Sequence, residues 1–244
     1  HHAHIASVLA EHGLSEPVIA IAADGTGYGT DGAVWGCEIM TADLTDFERL
    51  AHLAYIPLPG GEQAVRQPWR MAATYLAQAY GSDFLKLDIP FVRQLDRAKW
   101  HLLAQMIERG INSPATSSMG RLFDAVAALL GIRGEVLYEG QAAIELEMLA
   151  TKDAPADIYP FTLQERKNTP AILDVAPMIR AIVGDIQQGV PSAQIAGRFH
   201  RSSAELLAMA ASIARTQSGL NIVALSGGVF QNRLLLETLI TRLE

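Results

Sequence analysis

Two continuous apolar runs, one near each end of the chain, are each followed by a glycine-rich turn. Residues 18–23 lead into Asp24-Gly-Thr-Gly-Tyr-Gly29, and residues 221–225 lead into Ser226-Gly-Gly-Val-Phe-Gln-Asn232. Short apolar runs bounded by turn residues predict buried β-strands. Glycines occur where a ligand must approach the backbone closely, and consecutive free N–H groups form an anion site. The pair of turns predicts one nucleotide held between two halves of the protein.

The residues after each turn predict different elements. Ala33–Met40 is short and rich in strand formers, so the first turn is predicted to be the tip of a β-hairpin. Arg233–Leu243 has apolar residues at helical spacing, so the second turn is predicted to join a strand to a helix. Either turn alone is a weak signal, and two ordinary turns are the alternative interpretation.

Each predicted turn can hold a different part of a nucleotide. In the first turn, the N–H groups of residues 25–28 and the Thr26 hydroxyl can surround a phosphate while Asp24 holds a metal ion. In the second turn, Gly227 and Gly228 leave room for a base or ribose against the backbone, where a helix N-terminus favours negative charge.

Between the two turns, apolar residues at three- and four-residue spacing predict a mostly helical chain. Glycine stops or capping serines bound most of the predicted helices, which are residues 5–12, Trp69–Tyr80, Pro90–Arg109, Met119–Leu130, residues 141–147, Met178–Gln188 and Ser192–Thr216. The proline-containing stretch Asp153–Pro177 is the least regular, and it predicts either a pair of strands or a linker.

Composition agrees with an intracellular enzyme domain. The 244 residues are 50% hydrophobic and 18% charged, which allows one large domain or two lobes that share a cleft. The net charge of −7 and the lack of clustered Lys and Arg argue against binding of nucleic acid. The single Cys37 excludes an internal disulfide, and packing is its expected role. Short apolar runs argue against a membrane span, so we expect a cytoplasmic location.

Histidines cluster at the start of the chain. His1 and His4 lie three residues apart and would share one face of a helix, as metal-binding pairs do. Ala3 interrupts the cluster and Ile5 continues directly into an amphipathic helix, which favours native residues over the remnant of an affinity tag. The last predicted helix reaches Glu244 without a capping glycine, so we expect a fragment of a longer chain.

A set of motifs that covers nearly the whole chain gives a more specific interpretation. Together they resemble the C-terminal carbamoyltransferase module of the HypF family of NiFe-hydrogenase maturation proteins. More distantly, they are similar to O-carbamoyltransferases and to the protein that transfers a threonylcarbamoyl group to tRNA. In chain order the motifs are His1-His-Ala-His-Ile-Ala, Asp24-Gly-Thr-Gly-Tyr-Gly-Thr-Asp-Gly-Ala-Val-Trp-Gly, Leu58-Pro-Gly-Gly61, Ser117-Ser-Met-Gly-Arg-Leu-Phe-Asp124, Tyr138-Glu-Gly-Gln-Ala-Ala143, Arg198-Phe-His200 and Ser226-Gly-Gly-Val-Phe-Gln-Asn232.

The resemblance implies a fold and a reaction. The fold is α/β, the two-lobed actin-like ATPase fold with a nucleotide in the cleft between the lobes, and residues 1–244 would form one catalytic module with an undefined lobe boundary. The reaction passes a carbamoyl group, activated with ATP as carbamoyl-adenylate, to the terminal cysteine of a HypE-like partner protein. There dehydration gives a thiocyanate, the precursor of a cyanide ligand. A separate upstream domain makes the carbamoyl-adenylate.

The resemblance also implies a metal site that this sequence contains only in part. In the relatives, two histidines four residues apart and an aspartate at the first glycine turn hold Fe or Zn, and Mg is a further possibility. His4 and Asp24 match two of these positions. The other histidine would precede His1 and a further aspartate would follow Glu244, so the chain is expected to bind metal weakly or not at all. The resemblance leaves His1 and His2 open between direct ligation and a supporting polar role.

The nucleotide site implied by the resemblance draws on the middle of the chain. Gly120 and Asp124 match residues that hold the ribose in the tRNA-modifying relatives, whereas Arg121 stands where those proteins have glutamate. Asp124 lies on an apolar helix face, and we interpret it as a ribose contact rather than a buried ion pair, because an unpaired buried carboxylate is costly. Three other residues would complete the site, with two near the sugar or base and one amide closing it: Glu139, Gly140 and Asn232.

Other functions on the same fold stay open. A sugar or acetate kinase-like phosphotransferase would share both turns but needs a substrate hydroxyl and a base. An O-carbamoyltransferase would act on a small-molecule hydroxyl. A non-catalytic nucleotide-binding regulator is the third alternative, and the histidine-bearing helix argues against it.

Overall fold

The computed structural model describes residues 1–151, 157–166 and 169–244. The α-helices of this part are α1 His2–Glu11, α2 Glu62–Arg66, α3 Pro68–Tyr80, α4 Pro90–Gln94, α5 Arg97–Glu108, α6 Met119–Leu129, α7 Gln141–Leu149, α8 Ala176–Gln187, α9 Ser192–Ser218 and α10 Arg233–Leu243. Its strands are β1 Val18–Tyr28, β2 Val34–Ala42, β3 Phe47–Leu53, β4 Ile56–Pro57, β5 Ala115–Thr116, β6 Thr162–Arg166, β7 Thr169–Asp174 and β8 Val223–Ser226. The two 3-10 turns are Gly81–Lys86 and Gly228–Gln231.

The strands of the described residues form one mixed sheet, so the predicted α/β class is confirmed. The long strands follow the order β8-β1-β2-β3-β7-β6, and the short strands β5 and β4 continue from the start of β2. Strands β1, β2 and β3 are antiparallel, whereas β8 runs parallel to β1. Ala22 pairs with Ser226 in that parallel pair. The register therefore brings the two glycine segments, which follow these residues, to the same edge of the sheet.

Strand β1 is buried on both faces because its side chains alternate between two apolar clusters. Ile19 and Ile21 join the large core that includes α3, α6 and α9. Val18 and Ala20 join a smaller cluster on the other face, which α1 covers with Ile5 and Leu9. Packing of α1 across this face sets the position of its N-terminal histidines relative to the end of β1.

The predicted hairpin is confirmed, but its tip is displaced. Gly27 pairs with Trp35 and Tyr28 pairs with Val34, so the glycine segment remains within β1. The register shifts between Ala23 and Gly27, which makes the segment a bulged strand. The reversal itself occupies residues 29–33. The predicted phosphate-binding residues therefore belong to the edge of the sheet and not to a projecting turn.

Most predicted helices are present, and one divides in two. Residues 90–109 form α4 and α5 because Asp96 accepts hydrogen bonds from the backbone N–H groups of Ala98 and Lys99 and caps a new helix. Strands β6 and β7 confirm a strand pair within residues 153–177, although residues 153–156, 167 and 168 of that prediction lie outside the described residues. Among the helices that the structure describes, none has the length and apolar character that crossing a membrane requires.

Candidate active site

The Asp24 carboxylate lies where the two glycine segments meet. The backbone N–H of Gly25 donates to Asp24 Oδ1 over 2.7 Å. A Cβ added to Gly228 would lie 3.2 Å from the same oxygen, and one added to Gly227 would lie 2.2 Å from the carbonyl oxygen of Ala23. The second turn can approach β1 this closely only because positions 227 and 228 are glycine. Both predicted turns therefore border one carboxylate.

Helix α1 brings His4 to the same carboxylate. His4 Nε2 lies 3.6 Å from Asp24 Oδ2. The ring of His1 lies against Gly27, where a Cβ would overlap it, and its ring centroid is 6.3 Å from that of His4. His2 is directed elsewhere, because its Nε2 is 2.9 Å from the carbonyl oxygen of Asp43. The structure thus brings together the two residues that the sequence assigns to a metal.

The donor pair His4 and Asp24 fits part of a metal site. Imidazole nitrogen and carboxylate oxygen are ligands that Zn or Fe accepts, and bonds of about 2.0–2.2 Å can span their separation. The described residues contain no group of three or more His, Cys, Asp or Glu side chains that could hold a metal. The ion predicted here would need further ligands.

The N-terminus of α6 packs against the bulged strand. Ser118 caps the helix by accepting from the Arg121 backbone N–H over 3.1 Å, and its hydroxyl donates to the Gly25 carbonyl over 2.6 Å. A Cβ added to Gly120 would lie 3.0 Å from the Gly25 Cα. Gly120 is therefore needed for this close approach between helix and strand, whatever its role toward a ligand.

Asp124 forms a buried ion pair. Its Oδ2 lies 2.9 Å from Arg121 Nε, and each side chain is only 3% exposed. Burial raises the pKa of Asp124 to about 6, although the positive charge of Arg121 opposes the shift. The interpretation of Asp124 as a ribose contact rather than a buried ion pair is wrong about the ion pair, because the Arg121 guanidinium lies one helical turn earlier. A ribose contact stays a prediction that must now account for this pairing.

Glu139 also reaches the bulged strand. Its Oε1 would lie 3.3 Å from a Cβ on Gly25, and Arg121 Nη2 would lie 3.5 Å from the same point. Gly140 has a φ of 82° and precedes α7, so a left-handed backbone conformation accounts for this glycine without a ligand. Glu139, but not necessarily Gly140, is thus directed at the candidate site.

Asn232 is held by the protein itself. Its Oδ1 accepts from the Leu235 backbone N–H over 2.9 Å and caps α10, and its Nδ2 lies 2.9 Å from His200 Nε2. His200 is fully buried, and burial lowers its pKa to about 4. The neutral ring therefore accepts from the Asn232 amide and fixes its orientation. The predicted contact of Asn232 with a ligand would therefore have to use the second N–H of Nδ2 or the second lone pair of Oδ1.

A buried polar network lies on β2, the neighbour of the bulged strand, and the sequence did not predict it. The fully buried Glu38 carboxylate accepts hydrogen bonds from the Gly36 backbone N–H and the Ser117 hydroxyl. Arg49 pairs with Glu38, and its guanidinium lies 4.1 Å over the ring of Trp35. Arg49 and Ser117 lie 11 and 79 positions from Glu38 in the sequence, and no local pattern joins them to it. The network ties β2 to the segment that precedes α6.

A cavity of about 980 Å³ opens beside the bulged strand. Thr26 and Gly27 lie on one side of it, and Tyr138 and Glu139 lie on another. The cavity is large enough for a nucleotide-sized ligand, but Asp24, Gly227 and Gly228 do not line it.

Cys37 is completely buried, and burial raises the pKa of its thiol, which is consistent with the predicted packing role.

A comparison with known families decides which family this arrangement represents. The family described as "Carbamoyltransferase, Kae1-like Domain, second subdomain" matches residues 20–244. The chain belongs to this carbamoyltransferase family. A Kae1-like domain implies the actin-like ATPase fold that the resemblance predicts, while the two lobes, their boundary and the cleft stay predictions.

Individual relatives agree with this family. The chain is 40% identical to the carbamoyltransferase HypF of Synechocystis sp., with 100% of this chain and 33% of that protein covered. It is 38% identical to a carbamoyltransferase HypF homolog of Cupriavidus necator, with 96% of this chain and 60% of that protein covered. The chain spans about a third to three fifths of the length of these relatives.

Solved structures of HypF have the same fold. A full-length HypF in a phosphate- and nucleotide-bound form superimposes with a TM-score of 0.92 at 46% identity, covering 100% of this chain and 31% of that one. HypF of T. kodakarensis gives a TM-score of 0.86 at 34% identity, covering 99% and 32%.

Proposed function

We propose that this chain transfers a carbamoyl group from carbamoyl-adenylate to the C-terminal cysteine of a HypE-like acceptor protein. The nucleotide would lie at the edge of the sheet, with its phosphate beside residues 24–28 and its sugar and base toward Gly227 and Gly228. The convergence of both glycine segments on the Asp24 carboxylate carries this proposal. The names of the HypF relatives and the nucleotide-bound HypF structure support it.

The residues of the chain fit the binding of an acyl-adenylate. The bulge in β1 leaves residues 24–26 outside the strand ladder, although the Gly25 N–H already donates to Asp24, and the N-terminus of α6 packs against this segment with its positive dipole end. Both features favour the negative charge that collects on the phosphate as AMP leaves. The absence of side chains at Gly25, Gly227 and Gly228 allows the ligand to approach the backbone.

His4 and Asp24 would hold a divalent metal in this proposal. The metal would supply a positive charge that polarises the phosphoryl oxygens of the mixed anhydride. The transfer itself needs no nucleophile from this chain. The acceptor thiolate forms a bond to the carbamoyl carbon, the bond from that carbon to the phosphate oxygen breaks, and its electron pair leaves with AMP.

A product assay tests the proposal. The chain is incubated with carbamoyl-adenylate and a peptide that ends in cysteine, and the peptide is examined by mass spectrometry for one added carbamoyl group while AMP is quantified. The same peptide with a terminal serine is the acceptor control. Transfer to cysteine with equimolar AMP supports the proposal. Transfer to the serine peptide would support an O-carbamoyltransferase, and ADP with a phosphoester formed from ATP would support a phosphotransferase.

A pair of matched variants connects the activity to the site. Asp24→Asn removes the charge at the point where the glycine segments meet, so we expect loss of transfer with the fold retained. Asp88→Asn makes the same chemical change at an exposed position and should transfer at the normal rate. Equal activity of both variants would remove Asp24 from the site.

A further inference from the structure

Arg121 occupies a position where a cation is electrostatically unfavourable. It lies in the first turn of α6, and only 2% of the residue is exposed. The first turn of a helix carries partial positive charge and favours acidic side chains, of which α6 has none there. A buried guanidinium at this end of the helix therefore depends on a nearby anion for compensation.

Part of the hydrogen-bonding capacity of this guanidinium is unused. Its Nε lies 2.9 Å from Asp124 Oδ2, which compensates the charge. Its Nη1, in contrast, is buried without a hydrogen-bond partner among the described residues. A guanidinium has five N–H donors, and buried donors are nearly always satisfied. Such a group indicates a ligand with acceptor oxygens.

The third nitrogen of Arg121, Nη2, lies beside Gly25. Nη2 lies 3.5 Å, and Glu139 Oε1 lies 3.3 Å, from the place where Gly25 would carry a Cβ. A donor from α6 and an acceptor from the segment before α7 therefore border the same side of Gly25. Gly25 adjoins Asp24, so both groups lie next to the proposed position of the phosphate.

A donor and an acceptor side by side match the chemistry of a carbamoyl group. The group presents one carbonyl oxygen, which accepts, and one NH₂, which donates. We propose that Arg121 and Glu139 are specificity-determining residues that bind the carbamoyl group, with the carbonyl oxygen on Arg121 and the NH₂ on Glu139. This inference rests on the proposed function, because it requires the adenylate phosphate beside Asp24.

Stable analogues of the acyl-adenylate distinguish the proposed contact of Arg121 with the carbonyl oxygen from that of Glu139 with the NH₂. Adenosine 5′-N-carbamoylsulfamate and adenosine 5′-N-acetylsulfamate differ only in NH₂ against CH₃, and AMP lacks the acyl group altogether. Affinities of the 244-residue chain for all three are measured by calorimetry. The wild-type chain should bind the carbamoyl analogue about tenfold more tightly than the acetyl analogue, because the methyl group leaves Glu139 without its hydrogen bond.

Each variant has its own expected pattern. Glu139→Ala should weaken the binding of the carbamoyl analogue alone by about tenfold and abolish the preference over the acetyl analogue. Arg121→Met should weaken the binding of both acyl analogues by about tenfold and leave the affinity for AMP unchanged, because only the acyl groups have the carbonyl oxygen. Glu135→Gln and Arg109→Met, at exposed positions, are the controls and should change none of the three affinities.

Different results would overturn different claims. Equal binding of the two acyl analogues by the wild-type chain, with AMP bound, would overturn the assignment of Glu139 while the proposed function stands. Weaker AMP binding by Arg121→Met would place this residue on the phosphate instead. If no adenosine ligand binds to the wild-type chain, both the inference and the proposed nucleotide site are wrong. Glu139 is exposed, so its variant keeps the test valid even if Arg121→Met does not fold.

Discussion

Replacement of Gly227 by alanine should damage both the stability of the protein and its nucleotide site. Gly227 has φ 111° and ψ 156°, a backbone conformation that is almost restricted to glycine. Its added Cβ would lie 2.2 Å from the Ala23 carbonyl oxygen and 2.7 Å from the Ala23 carbonyl carbon. These are backbone atoms of β1, so a side chain cannot rotate away to relieve the overlap. The second turn must move away from β1.

The size of the effect follows from two contributions. The unfavourable dihedral angles cost about 1–3 kcal/mol. Displacement of the turn adds the loss of packing between β8 and β1, so we expect a total of about 3 kcal/mol or more. Gly219→Ala is a matched control, because Gly219 also has a positive φ of 74° but no atom within 4 Å of an added Cβ. It should cost only the left-handed penalty of about 1–2 kcal/mol.

Urea denaturation of both variants gives the free energies of unfolding, and calorimetry with AMP gives the affinities. Gly227→Ala should bind AMP more weakly because Gly228 moves with the turn, whereas Gly219→Ala should bind normally. Equal destabilisation by the two substitutions, together with unchanged AMP binding, would refute the claim that contact with β1 requires glycine at position 227.

Two further predictions concern buried titratable groups. The raised pKa of Asp124, about 6 against 3.8, means that its contribution to stability is present below pH 4 and is lost as pH rises to 6. The lowered pKa of His200, about 4 against 6.5, means that its contribution is present above pH 6.5 and is lost as pH falls to 4. Asp124→Asn and His200→Asn should thus change the slope of the unfolding free energy against pH in opposite directions. Variants whose slopes match that of the wild-type chain would contradict both pKa shifts. Glu38→Gln should lower the free energy of unfolding, measured in urea, by about 3–5 kcal/mol because it breaks a buried ion pair. Glu62→Gln, at an exposed ion pair, should lower it by less than about 1 kcal/mol, and equal losses would contradict this reasoning.

The sequence predicted the elements that frame the site because their signals are local. An apolar run, a glycine turn and a helical period stand next to each other at residues 221–243, and β8, the turn and α10 follow that order. Asp96 was missed as a helix start because the apolar spacing continues through it. The displaced hairpin tip has a related cause, since glycines at positions 25 and 27 resemble a turn in sequence, but both lie in the bulged strand and Gly27 pairs with Trp35.

Contacts between distant segments explain most of what the sequence did not predict. The Glu38 carboxylate depends on Ser117 and Arg49, and only the sheet brings these together. The partner of Asp124 is a different case, because Arg121 lies three residues earlier on the same helix face, where side chains are neighbours. That spacing was a visible signal for the ion pair. The apolar surroundings of Asp124 had favoured a ligand contact instead.

The charged groups around Gly25 give an electrostatic reason to propose a metal ion at this site. The described side chains nearest to it include the carboxylates of Asp24 and Glu139, and Arg121 is the guanidinium beside them. Arg121 already compensates Asp124 through the buried ion pair. An adenylate phosphate that approaches Asp24 would therefore meet the negative charge of these two carboxylates, which the partial positive charge of the α6 N-terminus offsets only in part. A divalent ion held by His4 and Asp24 would neutralise the charge of the two carboxylates, so that Asp24 would bind the phosphate through the ion instead of repelling it.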